Sequence, residues 1–342
     1  LRSIITVGFI TVLSAIVVVI SNDKALILYA LMVLTIGKIK PIDVVRRIAK
    51  LNLIFLILVV GSSLIGFIPN DTFTHYDTTA YCLGYYYYST CAYQVFFLTV
   101  VGYFLISGKY KKFYEILYIA LSILANYITY NICTVRLTFY CFILFVALIL
   151  LYKHTHLFKN NRFYRAVATW MFPVVALLTV FFSINYNKYS FIKAFDILIS
   201  YRFGFNYQAF QRYPISLLGN LIETHGEEWD QNWHNLYFYI DSGYIDTLLG
   251  SGLIIFLLAI FCYTLISRMA VRENNYKLFV WCVIICVFSV LNNVFLSTCV
   301  NPLLLFSIVA INSESAELKM HTQSQTWSLL RSSRTWRGEI NR

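Results

Sequence analysis

Long apolar runs separated by short polar breaks make up most of this chain. A run of about 20 apolar residues can cross the hydrocarbon core of a bilayer as an α-helix, and the short alternating segments of a membrane β-barrel are absent. The pattern therefore predicts an all-α polytopic membrane protein with about ten transmembrane helices, nine or eleven being the alternatives. We expect the spans near 3–21, 24–38, 51–68, 86–107, 114–131, 137–152, 167–184, 244–266, 278–297 and 301–312.

Composition agrees with a lipid-facing protein. The chain has 342 residues, of which 59% are hydrophobic and 13% are charged, and its mean hydropathy is +0.67, whereas soluble domains carry about 25% charged residues. A formal charge of +11 would suit nucleic-acid binding, but the basic residues gather in the breaks between apolar runs, as expected of cytoplasmic loops. We therefore expect no nucleic-acid partner. The basic clusters lie at 38–50, 109–112, 153–165, 268–277 and 319–342.

Placing these clusters inside the cell puts both termini in the cytoplasm and leaves one long break outside, at 185–243. Connections that long are usually functional, and this one is rich in aromatic residues, so we expect it to fold against the membrane with one or two helices such as 193–211. The predicted organisation is a membrane domain at 1–312, which includes that loop, and a basic cytoplasmic tail at 313–342 that is disordered or skims the membrane.

Three arginines stand apart from the cytoplasmic clusters, at the predicted outer face: Arg136, Arg202 and Arg212. Each could simply extend its side chain toward lipid headgroups. Together they favour a sharper interpretation, because a guanidinium binds phosphate oxygens through paired hydrogen bonds and stays charged at every relevant pH. An outward pocket lined by arginines would suit a lipid pyrophosphate.

The strip "WHNLYFYIDSGYIDTLLGSGLI" at 233–254 adds groups that exchange protons. His234 is the candidate general base, with an interfacial hydrogen-bonding role as the alternative. Asp241 is the second candidate, and it could instead hold an arginine in place or cap the following helix. Asp246 would need a partner or water.

Cofactor signals are weak. The acidic residues around His225 match no defined metal motif, and the chain has no glycine-rich phosphate loop, which disfavours an ATP-driven pump. We predict neither a metal nor a cofactor. The eight cysteines include no CxxC pair and are expected to act as small hydrophobic residues. Cys82, Cys91, Cys133 and Cys299 fall near the predicted outer side, where a disulfide is possible.

The order "TVRLTF", "YRFGFNYQAFQRYPISLLGN" and "YIDSGYIDTLLGSGLI" resembles the Wzy-type polymerases of bacterial O-antigen and capsular polysaccharides, which are related to the O-antigen ligases. The resemblance covers about 1–312 and depends on the order and spacing of loose motifs. A departure lies at 81–90, where "YCLGYYYYST" keeps Leu83 and Gly84 but lacks the family's arginine and its His-Pro-Asn. The matching positions are Arg136, Arg202, Arg212, Gly219, Asp241, Tyr244 and Gly252, and His234-Asn235 is similar to the His-Asn pair of the related ligases.

The resemblance implies a glycosyltransferase that joins polyprenyl-pyrophosphate-linked oligosaccharides on the outer face of the bacterial cytoplasmic membrane, without metal or nucleotide. Arg136, Arg202 and Arg212 would bind the pyrophosphate, while Tyr244 and Asn235 would contact the glycan. Membrane lipid, a flippase and a chain-length regulator are the implied partners. The alternatives are a flippase for the same lipid-linked sugars, or a ligase that moves finished glycan to another acceptor.

Overall fold

A computed structural model describes residues 2–21, 39–75, 78–106, 112–154, 162–224, 238–297 and 300–313. The predicted span at 24–38 and the tail beyond 313 lie outside the described residues. The first part of the chain forms α1 (Arg2–Ser21), α2 (Pro41–Leu64), β1 (Thr72–His75), β2 (Thr78–Tyr81), α3 (Tyr88–Ile106), α4 (Lys112–Cys133), α5 (Arg136–His154) and α6 (Arg162–Ile184).

The second part begins with two short helices and continues through the strip that carries both candidate aspartates. Its elements are α7 (Ser190–Leu198), α8 (Arg202–Arg212), α9 (Gly243–Asp246), a π-helix (Thr247–Ser251), α10 (Leu253–Arg272), α11 (Tyr276–Leu291) and a 3₁₀ turn (Pro302–Phe306) that leads into α12 at 307–313. The helix expected near 193–211 is therefore present as two helices, α7 and α8.

Within the described part of the chain, four helices are long and apolar enough to cross a membrane. They are Tyr88–Ile106, Phe113–Cys133, Arg162–Ile184 and Leu253–Arg272. The predominance of helix and these four candidate spans agree with the predicted all-α membrane class. The predicted count of ten spans is not confirmed.

Contacts between helix ends show that neighbouring helices run antiparallel. The Tyr103 hydroxyl, near the end of α3, donates a 2.9 Å hydrogen bond to Glu115 at the start of α4 and lies 3.3 Å from the Tyr276 hydroxyl at the start of α11. At the opposite end of the bundle, the backbone N–H of Gly243 at the start of α9 donates to the carbonyl of Asn292, just past α11 (3.2 Å). The chain connections before α3 and after α11 therefore meet at one end of the bundle.

The most deeply buried helix is α11, whose Trp281 and Phe288 are inaccessible to solvent. Phe288 stacks on Phe96 of α3 at 5.5 Å between ring centroids. In contrast, α4 exposes large apolar side chains such as Phe113 and Leu121. An exposed apolar face of this kind is the surface that a lipid-facing helix needs.

The segment at 69–85 contains a small antiparallel hairpin. Thr72 pairs with Tyr81, and Phe73 pairs with Ala80. Threonine and aromatic residues favour strands, but four-residue strands are too short for a period-2 pattern to stand out in the sequence. The hairpin leads into Gly84, whose φ is +83° and whose backbone lies against Val59 of α2.

The span expected at 244–266 is interrupted. The π-helix ends at Ser251, and α10 starts at Leu253. Gly252 lies between them and has a φ of +92°. The backbone N–H groups of Leu253 and Ile254 donate to the carbonyls of Ser216 (2.9 Å) and Leu217 (3.3 Å). In a continuous helix these two N–H groups would bond to carbonyls of the preceding turn. Here they bond to the segment that follows α8, which satisfies them without water.

Glycine is needed at this junction for two reasons. Any other residue at position 252 would have a left-handed φ, and its Cβ would lie 2.6 Å from the carbonyl oxygen of Leu217. In the chain segment that faces Gly252, Gly219 has a φ of +91°, and a Cβ there would overlap the carbonyl of Gly250. The two backbones approach so closely because neither glycine has a Cβ.

Replacing Gly252 with Ala is expected to lower stability by roughly 1–3 kcal/mol, because it combines a strained φ with a backbone overlap. The control is Gly61→Ala in α2, where an added Cβ meets nothing within 4 Å and helix propensity favours Ala by about 1 kcal/mol. Thermal unfolding of the two purified variants in detergent measures the difference. Equal midpoints would show that the junction does not constrain the fold.

Candidate active site

Arg202 and Asp241 form an ion pair. Arg202 is the first residue of α8, and Asp241 lies two residues before α9. The pair is mostly buried, with 25% of the arginine side chain and 13% of the aspartate side chain exposed. A guanidinium and a carboxylate removed from water in this way stabilise each other, because leaving either charge without an opposite charge would cost free energy. The sequence-based alternative for Asp241, that it holds an arginine in place, is therefore what the structure shows.

Asp196, at the end of α7, positions Arg202. Its two carboxylate oxygens accept hydrogen bonds from the backbone N–H groups of Phe203 (2.7 Å) and Gly204 (3.0 Å). These are N–H groups of the first turn of α8, which have no partner within their own helix. The intervening Ser200 and Tyr201 have φ values of +62° and +60°, so the chain turns tightly enough for Asp196 to reach back over the start of the helix.

Burial raises the pKa of both aspartates above the ordinary range. For Asp241, removal from water is the largest cause, and the adjacent Arg202 opposes it. For Asp196, burial is again the largest cause, opposed by the N–H groups of Phe203 and Gly204 and by Arg202. Both carboxylates therefore accept a proton more readily than a free aspartate does, and Arg202 favours the charged form of each.

Arg212 lies at the other end of α8 from Arg202. Ten residues of helix separate their Cα atoms by about 15 Å along the axis. The Arg212 guanidinium sits over the ring of the buried Phe238, 4.2 Å from its centroid, a favourable cation–π contact. The strip at 238–241 therefore meets α8 at two points: Arg212 contacts Phe238, and Arg202 contacts Asp241.

The strip is held on its other side by the last turn of α11 and the segment that follows it. The Ser242 hydroxyl donates to the carbonyl of Ser289 (3.3 Å). A Cβ at Gly243 would lie 2.8 Å from the Cβ of Phe295, so only glycine permits this approach. The Asp241 backbone is thus fixed by its immediate neighbours.

Tyr244, predicted to contact glycan, is fully buried. Its hydroxyl donates to the carbonyl of Cys286 (3.0 Å), and its ring lies 4.8 Å from that of Phe295. The structure therefore gives Tyr244 a packing role that anchors α9 to α11. We assign it no substrate contact.

Other polar groups border the ion pair. The Asn293 side chain donates a 2.8 Å hydrogen bond to Asp246, which supplies the partner that this aspartate was expected to need. The Tyr239 hydroxyl interacts electrostatically with Asp241, Asp246 and Arg202, and its side chain is exposed. Tyr93, near the start of α3, also interacts with Arg202 and Asp241. Two phenols therefore interact with the ion pair, and one of them, Tyr239, also interacts with Asp246.

The remaining predicted residues lie apart from the pair or outside the described structure. Arg136 begins α5 with an exposed side chain, and no contact between it and the Arg202–Asp241 pair is seen among the described residues. His234, Asn235 and the acidic residues around His225 lie outside the described residues. In the described ranges, no group of three or more His, Cys, Asp or Glu could hold a metal ion.

Sequence reasoning missed Asp196, Tyr93 and Asn293. Asp196 had one visible signal, an isolated acidic residue in the otherwise apolar run "FIKAFDILIS". It was not recognised as a cap because it lies six positions before α8, whereas a cap is normally the residue next to the helix. Tyr93 and Asn293 come from distant parts of the chain and could be found only from the folded structure.

Comparison of the chain with family models, curated proteins and solved structures found no match in any of the three.

Replacing Asp196 with Ala should release the start of α8 and lower stability by about 2 kcal/mol, at the upper end of values for lost helix caps. Asp43→Ala is the control, because Asp43 pairs with Arg46 on the surface of α2 (2.8 Å) and exposed pairs contribute at most about 1 kcal/mol. Thermal midpoints of the two variants report the difference. A loss no larger than that of Asp43→Ala would mean that Asp196 does not organise the helix.

Proposed function

We propose that this protein is a polysaccharide polymerase that joins polyprenyl-pyrophosphate-linked oligosaccharide repeat units at the outer face of the bacterial cytoplasmic membrane. One observation carries the proposal: a largely buried Arg202–Asp241 ion pair, with which Tyr93 and Tyr239 interact, at one end of an apolar helical bundle. It supplies an anion-binding group and a proton acceptor in direct contact. The positions of the basic clusters predict that this end of the bundle faces outward.

The donor would be bound through its diphosphate. Arg202 keeps a quarter of its side-chain surface accessible, and its planar guanidinium is suited to phosphate oxygens. As the bond between the anomeric carbon and the phosphate oxygen breaks, negative charge develops on the leaving polyprenyl diphosphate. A fixed guanidinium stabilises that charge without reorganisation, an effect typically worth 10²–10³ in rate.

Binding of the diphosphate would also activate Asp241. The phosphate oxygens compete with the carboxylate for the guanidinium, and Asp241 is then left in a partly buried site with a weaker counter-charge. Burial already raises its pKa, and Arg202 opposes that rise. Loss of the opposition therefore makes Asp241 a stronger base at the moment when the donor is in place.

The chemical step follows from these two roles. The acceptor hydroxyl oxygen bonds to the anomeric carbon, the bond from that carbon to the diphosphate breaks, and the bonding pair leaves with the diphosphate. The hydroxyl proton passes to Asp241. His234 remains the other candidate for this proton, and Asn235 remains a candidate for contact with the glycan.

Sugar contacts would come from the exposed aromatic residues near the pair. Tyr239 is partly exposed and interacts with Asp241 and Asp246. It would make the glycan contact that the resemblance implies for Tyr244. Arg136 and Arg212 remain candidate phosphate ligands. Arg212, which already contacts Phe238, would bind a more distant part of the lipid-linked substrate than Arg202 does.

Transport of the same lipid-linked sugars is the second candidate, and one observation favours it. The helix at 243–272 is discontinuous at Gly252, a feature of transporter binding sites. The break, however, is followed by 20 further residues of helix, enough to cross a bilayer, so it lies at one end of that span and not at its middle, which favours chemistry at a membrane surface.

A deletion strain tests the reaction class. Cells that lack the protein should make single lipid-linked repeat units on the outer leaflet but no long chains, as seen on a gel of extracted glycan. A complete ladder in these cells would contradict a polymerase. Units that accumulate on the inner leaflet would identify a flippase, and free long chains not attached to their final acceptor would identify a ligase.

Substitutions at the two members of the ion pair should have different effects on turnover and donor binding. Arg202→Lys should reduce turnover about 10²-fold and weaken donor binding, because an ammonium cannot replace the paired contacts. Asp241→Asn should abolish turnover yet retain or tighten donor binding, since it removes the anion that competes with the diphosphate. Turnover and donor affinity are measured with purified protein and a synthetic polyprenyl-diphosphate oligosaccharide.

Arg212→Lys is the matched control for that experiment, because it makes the same change at the other end of the same helix. It should change turnover much less than Arg202→Lys does. Normal turnover in Arg202→Lys, or weakened donor binding in Asp241→Asn, would rule out the exchange of the guanidinium between carboxylate and phosphate.

A further inference from the structure

Three of the cysteines meet at one corner of the bundle. Cys82 follows β2, Cys91 lies in the first turn of α3, and Cys133 is the last residue of α4. All three side chains are buried, and Cys91 and Cys133 pack with Leu83 and Val135 in one small apolar cluster. They are brought together because α3 and α4 are antiparallel, so that the start of one lies beside the end of the other.

Two of the thiols lie close together. The side chains of Cys91 and Cys133 belong to the same small buried cluster and interact with each other, while Cys82 interacts electrostatically with Cys133. A disulfide requires Cβ atoms about 3.8 Å apart and Cα atoms usually 4.4–6.8 Å apart. Neighbouring thiols at the adjoining ends of two packed helices can reach this geometry with little movement of the backbone.

The other described cysteines differ from this pair. Cys282 and Cys286 lie on the same helix, and the Cys286 thiol is directed to the carbonyl of Met171 (3.6 Å). Cys141 and Cys262 stand on separate helices. Among the described cysteines, only Cys91 and Cys133 reach one small cluster of five buried residues from two different helices. A metal site does not account for the cluster, because no described group of three such ligands could hold an ion.

We propose that Cys91 and Cys133 form a disulfide in the mature protein. The two thiols give up two electrons and two protons to an incoming disulfide, such as that of an extracytoplasmic thiol–disulfide oxidoreductase, which leaves as two thiols. The corner lies at the end of the bundle that the basic clusters assign to the outside, where disulfides persist.

The bond has a consequence for the candidate active site. Cys91 is two residues from Tyr93, whose hydroxyl interacts with Arg202 and Asp241. A covalent link from Cys91 to the end of α4 therefore fixes the start of α3 next to the ion pair. The link also closes the loop formed by α3 and α4, which restricts the unfolded chain and stabilises the folded one.

Differential alkylation of the full-length protein tests the proposal. Membranes are quenched in acid, free thiols are blocked with N-ethylmaleimide in denaturant, the protein is reduced, and the released thiols are labelled with isotopically heavy N-ethylmaleimide. Mass spectrometry should find the heavy label on Cys91 and Cys133 and the light label on Cys82 and Cys141. Light label on both Cys91 and Cys133, even after treatment with diamide, would overturn the proposal, as would pairing of Cys82 with either of them.

Variants supply a second measurement. Reductant should lower the thermal midpoint of the unmodified protein by roughly 4 °C or more, and should leave the midpoints of Cys91→Ser and Cys133→Ser unchanged. Cys141→Ser, which replaces another buried cysteine, should keep the full response to reductant. No response in the unmodified protein would contradict the bond. Because both measurements report thiol state and stability, they are independent of whether the protein polymerises polysaccharide.

Discussion

The candidate site depends on a pair of opposite charges held largely out of water. Arg202 and Asp241 each neutralise the other, and leaving either charge without a partner in this position would cost free energy. The surrounding structure serves to keep them in contact: Asp196 holds the first turn of α8 through two backbone N–H groups, and Ser242 and Gly243 tie the strip to the end of α11. Three separate parts of the chain thus converge on one ion pair.

The same pair explains how binding and chemistry could be coupled. A charged pair that is partly accessible can exchange one partner for a competing ion, whereas a fully buried pair cannot. A phosphate that replaces the carboxylate at Arg202 leaves Asp241 with less stabilisation of its charge, and hence more basic. Substrate recognition and activation of the base would then be two results of a single exchange.

The discontinuous helix next to the pair follows from the same need for close approach. Peptide groups freed at Gly252 are paired with the backbone at 216–217, which is possible only because Gly219 and Gly252 lack a Cβ. Cys91 and Cys133 pack in one buried cluster where two other helix ends meet. Backbone contact and side-chain packing therefore both restrict motion around the candidate site.

The sequence by itself determined the helical membrane class, the approximate positions of most helices and the choice of Arg202 and Asp241 as candidates. These properties follow from local composition: apolar length predicts a helix, and charge in an apolar setting indicates a special role. Only the tertiary structure decided that Arg202 pairs with Asp241, that Arg212 contacts Phe238 instead, that Tyr244 is buried, and that Asp196 and Tyr93 belong to the site. Each of these depends on which distant segments touch, and hydrophobic periodicity carries no information about contacts between residues far apart in the chain.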